Sequence, residues 1–298
     1  MRLGIDIGGT KTDAVAVDDA GTLAHRVRLT TGFGSPAVVE TAMTAITDVA
    51  GLAGLSAGDF ESIGIGIPGV VDNASGYVRH AVNLGFEELG LGDALAGRLG
   101  VDVRIENDVT AAAYGAYRLL GINSSMAYLN LGTGIAAGIV IDGKLWRGAR
   151  GTAGEIGHIP VDPNGELCPC GQRGCLETVA SGSSIARAWS TSDPHPALAL
   201  FDAADAGDAK AQEIRARLAT GVASAVRLLI LTTDVETVVI GGGLSHLGDR
   251  LLDDVCDVLT SWAASSTFLA SLDLTSRVRL VPEGRPVAAI GAALVGGV

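Results

Sequence analysis

Sliding the sequence along itself by 124 residues lays LGIDIGGTKTDAVAVD (Leu3–Asp18) over AYLNLGTGIAAGIVID (Ala127–Asp142) without a gap. Each copy reads as an apolar strand, a Gly/Thr turn, a second apolar strand and an Asp-containing turn. Asp6 falls on Asn130, Gly8 on Gly132 and Val17 on Ile141. The chain is therefore constrained to two halves built on one plan.

The correspondence continues at the level of elements. In the first half the patterning predicts a helix near Pro36–Ala53, a strand at Ser62–Ile67, a short helix at Asp93–Leu99, a strand at Asp102–Ile105 and an Ala-rich helix at Asp108–Leu119. In the second half it predicts a helix near Ala211–Thr232, a strand at Thr237–Ile240, a helix near Asp249–Trp262, a strand at Arg277–Val281 and a helix at Pro286–Val295. Strands alternating with helices imply α/β sheets covered by helices. Two such halves imply two similar lobes, 1–119 and 120–298, with a cleft between them. A Gly-, Pro- and Cys-rich insertion at about 144–184 interrupts the second, and the last helix is a candidate to pack back on the first lobe.

Composition agrees with this class: 48% hydrophobic residues, 4% aromatic, and 42 glycines for tight turns. The net charge of −12 and the lack of any basic tract argue against a nucleic-acid partner. No signal peptide is read at MRLGIDIGGT, and no apolar run is long enough to span a membrane. A cytoplasmic location is the simplest expectation.

The turn Asp6-Ile7-Gly8-Gly9-Thr10-Lys11 joins two strands, where glycines let a phosphate approach the backbone and meet its N–H groups. Thr10 and Lys11 would donate to phosphate oxygens, and Asp6 would hold Mg²⁺ directly or through water. A plain hairpin is an equal reading of this turn alone. Its repeat partner Gly132-Thr133-Gly134 favours polyphosphate binding, since each half then offers a Gly/Thr turn. Gly241-Gly242-Gly243, after a strand, would admit an adenosine or serve only as a turn. None of these is a Walker or dinucleotide motif.

Glu106-Asn107-Asp108 stands where a strand ends and a helix begins. Asp108 reads as an N-cap, or as the carboxylate that accepts a proton from a nucleophile, since α/β folds place their sites at strand C-terminal ends. Phosphoryl transfer asks for an oriented nucleophile, a proton acceptor and charge neutralisation. His158, Cys168, Cys170 and Cys175, spaced H-x9-C-x-C-x4-C, complete a tetrahedral zinc shell with no open position, so the zinc is expected to be structural. Glu155 and Glu177 flank these ligands and would accept hydrogen bonds from vicinal sugar hydroxyls or serve only as solvated loop residues. Cys256 is expected to be simply buried.

With Asp6-Ile-Gly-Gly-Thr-Lys11, Gly66-Ile-Pro-Gly69, Glu106-Asn-Asp108, Leu131-Gly-Thr-Gly134, Gly154-Glu-Ile-Gly-His158 and Cys168-x-Cys-Gly-x-x-Gly-Cys-x-Glu177, essentially the whole chain resembles the ROK family of sugar kinases and sugar-responsive repressors. This resemblance implies two actin-like (ribonuclease H-like) lobes built of duplicated ββ-α-β-α-β-α units. It implies transfer of the ATP γ-phosphate, with Mg²⁺, to the 6-hydroxyl of a hexose, and Asp108 as the group that takes the hydroxyl proton. Asn83, Asn107, Glu155, His158 and Glu177 match family positions that contact sugar hydroxyls. Phe86 stands where the family's N-L-x-W segment has Trp, and Leu176 stands where its glucokinases often have an aromatic residue. Glucose is the default sugar. N-acetylglucosamine, N-acetylmannosamine, mannose and fructose are rivals, polyphosphate is a rival donor, and a non-catalytic sugar sensor without a DNA-binding part is a remote alternative. A homodimer or homotetramer is expected.

Overall fold

The first hairpin begins at Arg2, and its alternation of side chains decides what covers each face of the first sheet. The computed structural model describes residues 1–296. The chain forms two compact units, one of Met1–Asn123, Gly138–Ala153 and the segment from Gly284, the other of Ser124–Ala137 and Gly154–Glu283.

In the first unit, strands β1 (Arg2–Ile7), β2 (Lys11–Val17) and β3 (Leu23–Thr30) run antiparallel, helix α1 spans Ser35–Ala53, and β4 spans Ser62–Ile67. Short strands β5 (Val70–Asp72), β6 (Tyr77–Ala81) and β7 (Phe86–Gly90) form a small antiparallel sheet of their own. Helix α2 (Leu91–Leu99), strand β8 (Arg104–Asn107) and helix α3 (Asp108–Leu119) follow. The main sheet has the order β3-β2-β1-β4-β8, with β1, β4 and β8 parallel.

Odd residues of β1, Leu3, Ile5 and Ile7, are fully buried in one core with Val38, Ala42, Ala45, Ile46 and Val49 of α1. Helix α1 is well specified: Pro36 occupies its first turn, and Gly54 closes it in the left-handed conformation.

In the second half come β9 (Met126–Leu131), β10 (Ile135–Ile141) and β11 (Lys144–Leu145), then helices α4 (Gly182–Ala188), α5 (Pro196–Asp205) and α6 (Ala209–Thr233), strand β12 (Thr237–Gly241), helices α7 (Asp249–Ser265) and α8 (Thr267–Ser271), strand β13 (Val278–Leu280) and helix α9 (Val287–Val295). Their sheet has the order β11-β10-β9-β12-β13. The bounds of β9 and β10 are those of β1 and β2 displaced by 124 residues at all four ends. The expected units are thus present, and each sheet is completed by one further strand, β3 or β11. The stretch 146–181 contains only short helical turns and isolated bridges.

Within the second unit, Arg215 binds Asp205 and Asp254 at 2.5 and 2.6 Å, while Arg250 binds Asp202 and Asp205 at 3.0 and 2.6 Å. Both guanidiniums lie over the buried Phe201 ring, at 4.6 and 5.3 Å, and so tie α5, α6 and α7 together.

Helix α9 packs within the first unit, on the face of the sheet opposite α1. Even positions of the strands make room for it. A Cβ on Gly4 would overlap the carbonyl oxygen of Ala289, and one on Gly64 that of Ala292. On the neighbouring helix, Gly115 faces the carbonyl of Val287, and Gly291 of α9 faces that of Ala111. Backbone cannot yield as a side chain does. Gly64→Ala is therefore expected to destabilise the fold by roughly 1–3 kcal/mol. Gly97→Ala, on the open face of α2, is expected to stabilise it by about 0.5–1 kcal/mol. Urea midpoints check both; equal midpoints for the two variants contradict the packing account.

Candidate active site and metal cluster

Two groups of candidate residues emerge, one in each unit. In the first, β1 ends at Ile7 and the chain turns through Gly8-Gly9-Thr10 into β2. The Gly8 N–H donates to Lys11 O at 2.9 Å, and Thr10 O accepts from Thr31 N at 3.1 Å, so the turn is held from inside and from the next loop. Thr10 and Lys11 are exposed. Gly9 lies against Asn83, where a Cβ would sit 3.4 Å from the Asn83 carbonyl. Asn83 itself is exposed, on a helical turn just before β7.

Asn107 and Asp108 join β8 to α3. The cap of α3 is Asn107, not Asp108 as the sequence suggested. Asn107 keeps extended backbone angles, and its Oδ1 accepts from Thr110 N at 3.0 Å. Its Nδ2 donates to Gly69 O at 3.2 Å. Asp108 is the first helical residue, and its Oδ1 accepts from Val109 N at 2.9 Å.

Asp6 retains a small solvent-reaching edge but is otherwise enclosed by protein. That desolvation, then the charge of Asp108, then that of Asp13, raises its pKa to about 8. Asp13 stays ionised because Arg28 and Arg26 bond it and outweigh its own desolvation. Carboxyl groups crowded in this way are relieved by a proton or by a cation. Glu106, one residue before Asn107, is buried and bonded to Arg147.

In the second unit, the turn Gly132-Thr133-Gly134 connects β9 to β10. It is docked on the start of α4, where Gly182 N donates to Gly132 O at 2.8 Å and Ser183 N to Thr133 O at 3.0 Å. Glu177 Oε2 accepts from Ile135 N at 3.2 Å and lies flat on Gly134, where any Cβ would overlap it. Gly241, Gly242 and Gly243 leave β12 over side chains of β9: a Cβ on Gly241 would overlap the Tyr128 hydroxyl, and one on Gly242 would stand 2.6 Å from Asn130 Oδ1. Asn130 Nδ2 approaches Gly132 from the other side, so one carboxamide spans both glycine turns. Asn130 carried no expected role, although its match to Asp6 in the repeat was the available signal.

His158, Cys168, Cys170 and Cys175 present ligand atoms that all lie within 4.8 Å of one another. Cys170 Sγ and Cys175 Sγ are 3.6 Å apart, and His158 Nδ1 is 3.9 Å from Cys168 Sγ. Thiolates at about 2.3 Å from one tetrahedral ion would stand about 3.8 Å apart, so the cluster fits such an ion. The loop is built for it: Cys168 N bonds Gln172 O, Gly174 N bonds Glu166 O, and Leu176 N bonds Ile159 O. Gln172 donates its side-chain amide to His158 O at 3.1 Å and to Cys170 Sγ at 3.5 Å. The Gln172 backbone N–H and this amide lower the Cys170 pKa, while burial raises that of Cys175. With Nδ1 turned to the sulfurs, the other ring nitrogen of His158 is left for a second partner. Glu155 is exposed; surrounding protein raises its pKa, with His158 opposing and Glu177 reinforcing.

The ROK family model matches residues 2–295. The chain belongs to the ROK family. A glucokinase of Halalkalibacterium halodurans is 35% identical over 274 residues, 85% of this chain and 83% of that protein. An N-acetylmannosamine kinase of Yersinia pseudotuberculosis is 33% identical over 245 residues, 81% of this chain and 82% of that protein. The crystal structure of a ROK family glucokinase from Streptomyces griseus in complex with glucose and AMPPNP superposes with a TM-score of 0.81 at 31% identity, covering 99% of this chain and 98% of that one. Among the described residues, no helix of this ROK protein is long and apolar enough to cross a membrane.

The raised pKa of Asp6 has a measurable consequence. The folded state holds the Asp6 proton more tightly than the unfolded chain does. Its contribution therefore favours folding at low pH and is lost as pH rises from about 4 toward 8. Asn cannot ionise, so Asp6→Asn is expected to melt above the wild type at pH 8 in metal-free buffer, with a clearly smaller gap at pH 5. Calorimetric melting at the two values tests this; a gap independent of pH contradicts it.

Proposed function

We propose that this chain transfers the γ-phosphoryl group of ATP to the 6-hydroxyl of a hexose, with glucose first among the sugars. The observation that carries the reading is the placing of two carboxylates on neighbouring elements of the first unit: Asp6, heading the Gly8-Gly9-Thr10 turn, lies in register with Gly66 of β4, and a Cβ on Gly66 would stand 3.4 Å from Asp108 Cα. Asp108 accepts the hydroxyl proton as the sugar oxygen attacks phosphorus and the bond to ADP breaks. Its place at the N-terminus of α3, where its Oδ1 accepts from Val109 N, orients the carboxylate. Mg²⁺, held by Asp6 directly or through water, supplies neutralisation of the phosphate charge when bound.

Gly8, Gly9, Thr10 and Lys11 bind phosphates, as do Gly132, Thr133 and Gly134, while Gly241, Gly242 and Gly243 give the adenosine a surface without side chains. Asn83, Asn107, Glu155, His158 and Glu177 bind sugar hydroxyls. The His/Cys cluster holds a structural zinc ion that fixes His158 and Glu177. The two compact units support a two-lobed division of the chain, and the family resemblance supports a cytoplasmic homo-oligomer. Glucose and AMPPNP bound to the Streptomyces griseus enzyme support the choice of substrates. N-acetylmannosamine is the second reading, favoured by the 33% identical kinase.

Release of ADP across glucose, mannose, fructose, N-acetylglucosamine and N-acetylmannosamine tests the substrate. The highest kcat/KM is expected for glucose, and a maximum at N-acetylmannosamine selects the second reading. Asp108→Ala is expected to lower kcat by about 10²–10⁴-fold with sugar binding largely intact; full turnover removes Asp108 from the base role. Elemental analysis is expected to find about one zinc per chain, and a strong chelator is expected to lower both Tm and sugar affinity. A metal-free protein with an unchanged Tm overturns the zinc assignment.

A further inference from the structure

Glu106 is 3% exposed, an unusual place for a carboxylate at the end of an edge strand. Its Oε2 takes two bonds from Arg147, from Nε at 2.9 Å and Nη2 at 2.6 Å. Its Oε1 accepts the backbone N–H of Asn107 at 3.0 Å. Asn107 in turn caps α3 through Thr110 N and donates to Gly69 O. A run of directed bonds thus passes from Arg147 through Glu106 to the backbone immediately before Asp108.

Stability alone is a poor reason for the pair. Glu106 is buried while the Arg147 side chain is 37% exposed; an ion pair with a buried member is commonly no better than apolar residues of equal volume, whereas removing the arginine leaves the buried carboxylate without its counter-charge. What an apolar pair cannot supply is an acceptor aimed at the Asn107 N–H. We propose that Glu106 and Arg147 are positioning residues for the reaction, holding the Asn107–Asp108 backbone so that the Asp108 carboxylate keeps its reactive orientation. The proposal rests on the proposed role of Asp108. Arg147 is also well placed to carry such control. It follows β11, its carbonyl accepts Ala153 N at 3.2 Å, and the loop so closed leads directly to Gly154-Glu155.

The test compares Arg147→Met, Arg147→Lys, Glu106→Gln and the Glu106→Gln/Arg147→Met double variant, each checked for fold by circular dichroism. Arg147→Met strands the Glu106 charge and is expected to lower kcat by about ten- to a hundred-fold, the scale of a misplaced reactive group, with KM for ATP within about two-fold of wild type. Arg147→Lys is expected to recover part of the loss. The double variant is expected to exceed Arg147→Met in kcat, because the amide introduced by Glu106→Gln needs no counter-charge and still accepts from Asn107 N. A kcat for Arg147→Met within about two-fold of wild type alongside a lowered Tm makes the pair merely structural and overturns the proposal, as does a double variant no faster than Arg147→Met. If Arg147→Met does not fold, Arg147→Lys and Glu106→Gln decide: reduced kcat at unchanged ATP KM in the first supports positioning, and unchanged kcat in both overturns it. Asp108→Ala run in parallel separates the two readings. Turnover retained there overturns the base, while turnover lost there but kept in Arg147→Met overturns the pair alone.

Discussion

Four glycines let α9 lie directly on the backbone of β1, β4 and α3, where a single methyl group would overlap main-chain carbonyls. The first sheet needs that cover. One face is filled by α1 through Leu3, Ile5 and Ile7, and the other would expose Val15 and Val17 without Ala289, Ile290, Ala293 and Leu294. Helix α9 thus buries the second face of the strand that leads into the Gly8-Gly9 turn. Because the contact is backbone on backbone, it cannot relax by rotamer changes. The ends of β1, β4 and α3, which hold Asp6, Gly66 and Asp108, share this rigid seat.

Much of this was legible before any coordinates. The 124-residue offset of the sequence reappears in the bounds of β9 and β10 against β1 and β2, because a duplicated strand-turn-strand keeps its apolar periodicity and its glycines. The His158–Cys175 cluster was legible because its ligands lie within one short loop. The small sheet β5-β6-β7 was not: its strands have three to five residues, with exposed positions that break the alternation. Strand β3 does alternate, LAHRVRLT, but arginines on its outer face mask the pattern. The choice of Asn107 over Asp108 as cap turns on one residue's backbone angles, a distinction that composition does not carry. Pairing of Arg147 with Glu106 joins positions 41 apart with no repeat or motif to link them.

The stretch 146–181 has almost no regular structure and little apolar core of its own, and its order has other sources. Gly174, at a φ of 68°, lets the loop fold back on Asp162, and the bridges Pro160–Cys175 and Leu167–Arg173 close it. Four potential ligand side chains are gathered there within 4.8 Å of one another, a spacing that fits a single metal ion. The result is rigid where rigidity is useful. Glu177, two residues past Cys175, reaches Ile135 N across Gly134, so the knuckle and the β9–β10 turn are fixed to each other.

The repeat also shows how the two turns diverged. Asp6 and Asn130 occupy the same place in the two copies, yet the first is an acid pushed toward protonation by burial and then by the charges of Asp108 and Asp13, and the second is a neutral amide. The difference follows from what each position must satisfy. Beside Asp108, a buried carboxyl group has to be relieved by a proton or a cation. Beneath Gly242, the Asn130 amide fills the space on both sides, its Oδ1 2.6 Å from where a Cβ of Gly242 would stand and its Nδ2 3.4 Å from where one of Gly132 would stand. A carboxylate there would add negative charge beside the Gly132-Thr133-Gly134 turn. One strand-turn-strand backbone appears twice, and a single change of oxygen to nitrogen separates the crowded acid beside Asp108 from the neutral amide beneath Gly242.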